Sequence, residues 1–345
     1  MEGKKDTMRA VVRSADPKKV VEVQTIPIPK YGPDEVLIRV ESSPINPSDE
    51  YFSKNIYGVK EDLIVKPPVV PGFEGSGVVV SAGANVPKEL VNAKVAFCSD
   101  PHKKEVWSGA WAQYVAIDYR YCYATGDLPF DETCCYFVNP VTILAFLLEA
   151  NLRKSAGLVH TAAASSLGKM LVKTCLRKGV ELINIVRKPE QEKMLKELGA
   201  KYILNQNDPK FIQNLSELTK KLGITICFDA VAGPLTGKVL AGMPPQSSVL
   251  VYGSLSLTLI SDVNPMDLLF YGKKLEGFWM KNSPIFSPTE IKEATKFIME
   301  DLMSGGAIFK PNVANRIKLE QCAEFIEAYK KTATQGKTII KPNMA

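Results

Sequence analysis

Histidine is the scarcest telling residue in this 345-residue chain: there are two, His102 and His160. That leaves little room for a histidine-based metal centre or for a nucleophile activated by imidazole. The seven cysteines are odd in number and contain no C-x-x-C pair. Neither a disulfide framework nor a zinc knuckle is signalled, and reduced thiols fit better. No apolar run reaches the roughly 18–20 residues that cross a bilayer, since the most apolar stretch, Phe137 to Leu148, is broken by Pro140. No membrane span is therefore expected. The opening Met1-Glu2-Gly3-Lys4-Lys5-Asp6 has no apolar core, so it does not read as a secretory signal, and it is too short and acidic for a mitochondrial presequence. A cytoplasmic location is the expectation, with the mitochondrial matrix as the alternative. Charge of one sign is also lacking: 43 basic residues stand against 37 acidic, a net +6 spread along the chain. A nucleic-acid partner is not expected.

What is present is an ordinary globular composition, 46% hydrophobic and 23% charged, with length for two or three domains. The texture changes near residue 129. Before it, Met8–Val12, Val20–Gln24, Glu35–Val40, Gly75–Ser81, Ala93–Cys98 and Ala110–Ala116 read as strands punctuated by Pro, Gly, Asn and Asp. After it, strands alternate with helices. Gly157–Thr161 is an apolar strand, and Leu167, Met170, Leu171, Thr174 and Cys175 then recur at helical spacing. Strands at Glu181–Val186, Tyr202–Leu204, Ile224–Phe228 and Val249–Tyr252 follow, with helices at 189–198 and 209–222 between them. Such alternation predicts an α/β chain with parallel strands joined by helical crossovers, a doubly wound sheet. Helices at Pro288–Met303 and Leu319–Lys330 and a strand at Gly336–Lys341 close the chain.

The first strand of the α/β region ends in His160-Thr161-Ala162-Ala163-Ala164-Ser165-Ser166-Leu167-Gly168. A dinucleotide fold carries glycines in this turn so that backbone approaches pyrophosphate at a helix N-terminus. Only Gly168 is present, and Ser165 stands where the second glycine belongs. A small-residue turn also serves plain packing. The order strand, turn, helix, strand supports phosphate binding, and Ser165 and Ser166 are candidate caps with hydroxyls for phosphate. After the second strand an NAD site carries Asp or Glu for the ribose 2′-hydroxyl. Here Arg187-Lys188 follow, and two cations suit a 2′-phosphate. NADPH is therefore expected ahead of NADH.

Several segments, taken in order, resemble the medium-chain dehydrogenase/reductase superfamily, and within it the zinc-free quinone oxidoreductase and enoyl reductase branch. They are Ser43-Pro44-Ile45-Asn46-Pro47-Ser48-Asp49, Pro71-Gly72-Phe73-Glu74-Gly75-Ser76-Gly77, Gly109-Ala110-Trp111-Ala112-Gln113-Tyr114 and Val138-Asn139-Pro140-Val141-Thr142. The 160–168 turn, Glu197-Leu198-Gly199-Ala200, Phe228-Asp229-Ala230-Val231, Tyr252-Gly253-Ser254 and Gly336-Lys337-Thr338-Ile339-Ile340 complete the set. The resemblance implies a GroES-like catalytic domain split over 1–128 and 281–345 around a Rossmann domain at 129–280. It implies cofactor contacts from Thr142, Ala164, Ser165, Ser166, Leu167, Gly168, Arg187, Lys188, Val231, Tyr252, Gly253, Ser254 and Lys337. It also implies a homodimer built edge to edge on the Rossmann sheets, with Leu275 to Met280 as the edge strand.

The zinc enzymes of that superfamily carry Cys where this chain has Asn46 and His where it has Phe73, and Asn and Phe supply no zinc ligand. Cys98 and Cys122 are the only cysteines between residues 90 and 130, so the four-cysteine lobe is missing too. No zinc is expected. Without a Lewis acid, alcohol oxidation loses its alkoxide stabiliser. Hydride donation to a quinone or an activated C=C such as an enone or alkenal is better supported, with donors or a proton source for the charge that develops. Tyr57 is the candidate acid and Asn46 a candidate amide donor. Tyr51, Phe278 and Trp279 are candidate substrate-lining residues, and Asp49 reads as a buried hydrogen-bonding partner. Each also has a packing reading. A trans-2-enoyl thioester reductase is the close alternative, with Lys54, Lys60 and Lys66 as a basic rim for a charged acyl carrier. A member of another class, which keeps the fold as a non-catalytic binding or structural subunit, is suggested by the missing glycines at Ala163 and Ser165. His160 reads as structural, His102 as solvated and Cys134-Cys135 as core.

Overall fold

The computed structural model describes residues 6–14, 16, 19–54, 56, 68–99, 109–332 and 335–344. Tyr57, Lys60, Lys66 and His102 lie outside them. In chain order the strands are β1 (Thr7–Arg13), β2 (Val21–Pro27), β3 (Glu35–Pro44), β4 (Glu74–Ala82), β5 (Lys94–Cys98), β6 (Tyr114–Asp118) and β7 (Cys122–Ala124), then β8 (Gly157–His160), β9 (Glu181–Val186), β10 (Tyr202–Asn205), β11 (Ile226–Asp229), β12 (Ser248–Val251) and β13 (Lys274–Gly277), and finally β14 (Val313–Ile317) and β15 (Lys337–Ile340). The helices are α1 (Pro47–Ser53), α2 (Phe130–Thr133), α3 (Val138–Leu152), α4 (Ser166–Lys178), α5 (Pro189–Glu197), α6 (Phe211–Leu222), α7 (Pro234–Gly242), α8 (Pro265–Leu269), α9 (Pro288–Met303) and α10 (Cys322–Thr332).

Two compact units result, one of residues 1–138 with 298–345, the other of 139–297. The sequence reading divides the chain at 128/129 and 280/281, and these compact units divide at 138/139 and 297/298. These divisions fall at the start of α3 and inside α9.

In the first unit β14, β15, β3, β4, β5 and β7 lie side by side, β6 also pairs with β3, and β1 pairs with β2. Alternate residues of β3 face inward, and Val36, Ile38 and Val40 pack with Val79, Val95 and Phe97, as a strand's period of two requires. The C-terminal return is stitched in by side chains as well as by β15. Asp131 Oδ1 accepts from Lys341 Nζ at 2.7 Å and Ser42 Oγ at 2.6 Å, while its Oδ2 accepts from Arg316 Nε at 2.6 Å. Gly72, at φ +106°, lies where a Cβ would meet Trp111 at 2.6 Å, so the turn before Phe73 requires glycine.

In the second unit six parallel strands run in the order β10-β9-β8-β11-β12-β13. Counted from β8 this is 3-2-1-4-5-6, the doubly wound order of dinucleotide folds. The α/β class with a GroES-like part and a Rossmann part therefore stands.

Three sequence expectations change. Ala110 to Ala112 do not join β6, because Ala112 makes only an isolated bridge to Ala10. The edge strand β13 ends at Gly277, so Phe278 and Trp279 lie past it. Finally, Phe130–Leu152 is long and apolar enough, by length and composition, to cross a membrane, yet 78% of its apolar window is buried inside the molecule. It comprises α2 and α3 packed in the core, and Pro140 sits in the first turn of α3, where the missing N–H costs nothing.

Candidate active site

The first unit holds a buried polar cluster where β3 passes into α1. Asn46 caps α1, and Pro47 at the first helical position suits the start of a helix. Asn46, Asp49, Glu74 and Lys337 are all under 5% exposed. Asn46 Nδ2 donates to Glu74 Oε1 at 2.9 Å, and Asn46 Oδ1 accepts from Lys337 Nζ. The Asp49 carboxylate accepts from the backbone N–H groups of Asn46 at 2.8 Å and Phe73 at 2.9 Å. The other oxygen of Glu74 accepts from the backbone of Phe137 at 2.8 Å and Val138 at 2.9 Å.

Burial pushes Asp49 up to about 7, against the two backbone bonds it accepts. It also raises Glu74, opposed chiefly by the Lys337 charge. The ring of Phe73 packs edge-on against Phe52 at 5.7 Å. Lys337, for which the resemblance implies a cofactor contact, belongs to this cluster of the first unit. Its ammonium is held by the Asn46 amide, and its charge favours the ionised form of both Asp49 and Glu74. Asn46 keeps one amide N–H beyond the bond to Glu74, and Tyr51 lies one turn along α1.

The second unit holds the phosphate turn. Ser165 caps α4, and its Oγ accepts from Gly168 N at 3.1 Å. Ala162 takes a left-handed φ of 52°, and a Cβ on Gly168 would lie 2.2 Å from the Ala163 carbonyl oxygen. One glycine therefore survives because the backbone touches there; Ala162 bends the turn in place of another. Among the described residues, the backbone N–H groups of Ser166 and Leu167 have no partner, as at any helix start. They form a cradle for an anion.

Beneath the turn Asp229, at the end of β11, is fully buried and saturated. It accepts from Thr161 Oγ1 at 2.7 Å, Thr236 Oγ1 at 2.6 Å and Val231 N at 2.9 Å. Sequence reasoning gave Asp229 no role. Its signal was an acidic residue ending an otherwise apolar strand.

Arg187 and Lys188 directly follow β9 and have exposed side chains. Their backbone N–H groups both donate to Gln191 Oε1, at 3.0 and 3.1 Å. Neither side chain makes an ion pair among the described residues, which leaves two cations at the edge of the turn. Thr142 Oγ1 lies 3.0 Å from Met280 Sδ. Phe278 packs edge-on against Phe146 and Phe228, whereas Trp279 is exposed with Lys281 near its ring. Cys134 and Cys135 are buried.

Residues 32–127 match the alcohol dehydrogenase GroES-like domain, and residues 166–300 match the domain described as zinc-binding dehydrogenase. The mitochondrial enoyl-[acyl-carrier-protein] reductase of Bos taurus is 25% identical over 343 residues, covering 96% of this chain and 88% of that protein. A Mesorhizobium loti structure, provisionally assigned as an NADPH:quinone reductase, superposes with a TM-score of 0.84 at 28% identity over 98% of this chain and 99% of that one. The Escherichia coli quinone oxidoreductase, solved in complex with NADPH, superposes with a TM-score of 0.79 at 19% identity, over 97% and 100% of the two chains.

Proposed function

Since the chain belongs to the medium-chain dehydrogenase/reductase superfamily, we propose that it is a zinc-independent, NADPH-dependent oxidoreductase that reduces a quinone or an activated C=C such as an enone or alkenal. The observation that carries this is the Asn46–Glu74–Lys337 network. It fills the ligand position of the zinc enzymes with an amide, and it sets a fixed cation beside both carboxylates. A divalent ion brought there would meet like charge. A substrate that accepts hydride without a Lewis acid fits such a site.

The cradle fits the cofactor. Ser165, Ser166, Leu167 and Gly168 would hold the pyrophosphate, and Arg187 and Lys188 the 2′-phosphate. NADPH, when bound, supplies the hydride. This chain's own residues bind the substrate and return a proton to the enolate or phenolate oxygen or carbon. Tyr57 is the proposed acid, and the remaining Asn46 amide N–H a donor to the developing charge.

Thermal melting with saturating NADPH tests the binding step, where an upward shift larger than that given by NADH is expected. No shift with either nucleotide would leave the reading of a non-catalytic member standing instead. Turnover of quinones, enones and crotonyl thioesters then selects the substrate class. An enoyl thioester is the second reading, favoured by the likeness to the Bos taurus reductase along almost the whole chain. In that case Tyr57→Phe should slow enoyl reduction at least about tenfold, and an unchanged rate removes Tyr57 from the mechanism. The mitochondrial relatives are also compatible with a matrix location.

The same reading includes a homodimer through the free edge of β13. Helix α8 and the residue after it expose Leu269 at 69% and Phe270 at 76%, a few residues before that strand, more apolar surface than a solvated loop requires.

A further inference from the structure

The first unit carries an open cleft between the start of α2 on one side and β14 on the other, with the residue after β15 between them. Its volume is about 540 Å³, within the roughly 300–1,000 Å³ of small-molecule sites. None of its lining residues belongs to the Asn46 cluster. Phe130, Pro311 and Val313 give it an apolar wall. Val313 and Arg316 are three apart in β14, so a regular strand would send them to opposite faces. The pairing with β15 slips by one residue between Val313 and Asn315, and both side chains line the cleft. A bulge re-aims a side chain in this way.

Its charges do not cancel. Lys310, Arg316 and Lys341 face Asp131 and Glu132, three cations against two carboxylates. Asp131 is used up, because Oδ1 accepts from Ser42 and Lys341 and Oδ2 from Arg316. Burial alone would raise Asp131, but the bonds from Lys341, Ser42 and Arg316 hold it below its ordinary value, so it stays ionised and inward-facing. Glu132 has Oε1 2.7 Å from Lys310 Nζ. Arg316 is exposed and spends only Nε on Asp131. Its two terminal amino groups have no hydrogen bond among the described residues. Lys341 Nζ donates to Ser42 and Asp131 and keeps one N–H. What remains is a planar fork with one surplus positive charge above an apolar wall.

A guanidinium fork matches the two oxygens of a planar oxyanion. The single surplus charge balances a carboxylate, whereas a phosphate monoester carries about −1.5 to −2 at neutral pH and would leave the cleft negative. We propose that this cleft binds a small ionised carboxylic acid, its carboxylate on the fork of Arg316 and its aryl or acyl body against Phe130, Pro311 and Val313. The site is separate from the phosphate turn and stands whether or not the protein binds a dinucleotide.

Isothermal titration of the whole protein with 3-phenylpropionate and octanoate tests it. 3-Phenylpropanol keeps the body without the charge and should bind at least about tenfold more weakly than 3-phenylpropionate. Arg316→Met should weaken both acids at least about tenfold. Arg316→Lys keeps the cation but loses the fork, so a loss of about threefold to tenfold is expected, and it guards against misfolding of the Met variant. Hydrogen exchange with either acid should slow at residues 129–133 and 310–316. Binding no tighter than about 10 mM by both acids overturns the proposal. Equal binding by 3-phenylpropanol also overturns it, since the cleft would then read only apolar surface. Unchanged affinity in both Arg316 variants, or protection elsewhere in the chain, places the acid at another site. Phenyl phosphate binding more tightly than 3-phenylpropionate rejects the carboxylate as the ligand.

Discussion

Taking away the Lys337 ammonium would leave Asp49 and Glu74 in the interior with backbone and amide bonds but without their shared counter-charge. Removing one partner of a buried ionic group costs about 3–5 kcal/mol. Lys337→Met should lose stability on that order in urea, and a loss below about 1 kcal/mol would mean that the cluster is hydrated. Asp49 carries a second signature. Its value is about 7 in the folded chain against an ordinary 3.8. The folded protein therefore binds more protons than the unfolded one between those values, so this group's contribution is present at low pH and is lost as pH rises through about 7. Asp49→Asn, which cannot ionise, should remove that decline. Urea melts from pH 4.5 to 7.5 on both proteins measure it, and parallel curves would reject it. The sequence exposed half of this site. Asn46 and Phe73 were visible as substitutions within a motif, and Glu74 stood beside them. Lys337 lies 291 residues from Asn46, and the pairing of residues so far apart leaves no local pattern.

At the level of elements, α4 carries two separable functions in Ser165. As the cap it accepts from Gly168 N, and as part of the turn it would face phosphate. Aspartate caps a helix about as well as serine and also suits its positive end, but it repels an anion. Ser165→Asp should therefore keep its melting temperature while NADPH binding falls at least tenfold. Equal affinity would place the phosphate elsewhere. Gly168→Ala tests packing instead, since its Cβ would lie 2.2 Å from the Ala163 carbonyl oxygen, a backbone atom that cannot swing aside. The expected cost is about 1–3 kcal/mol. Elements with strong periodicity were legible: β9 and α9 have the bounds that their patterns predict. β7, three residues of Cys-Tyr-Ala, and β14, Val-Ala-Asn-Arg-Ile with two polar residues, were not. Such short strands exist only because a neighbouring strand supplies the other half of each ladder.

For the whole molecule, the wound order of the second sheet leaves β13 as a terminal strand with one edge unpaired among the described residues. A free edge invites pairing unless it is charged, bulged or covered. Glu276 does not serve as an outward guard, because Arg153 holds it in a bidentate pair at 2.8 and 3.1 Å and Ser248 donates to it at 2.9 Å. Leu269 and Phe270, just before β13, stand in water in a single chain. Two copies meeting about a twofold axis would pair β13 with β13 and cover both apolar side chains with one self-complementary patch. Sedimentation of the wild type should report a dimer, and Leu269→Asp/Phe270→Asp a monomer. Because the phosphate turn and Arg187 belong to other parts of the second unit, NADPH affinity should change less than about twofold, the scatter of a neutral surface substitution. A wild type that sediments as a monomer, or a double variant that stays dimeric, would show that these side chains are left exposed for another reason and that β13 is not where copies meet.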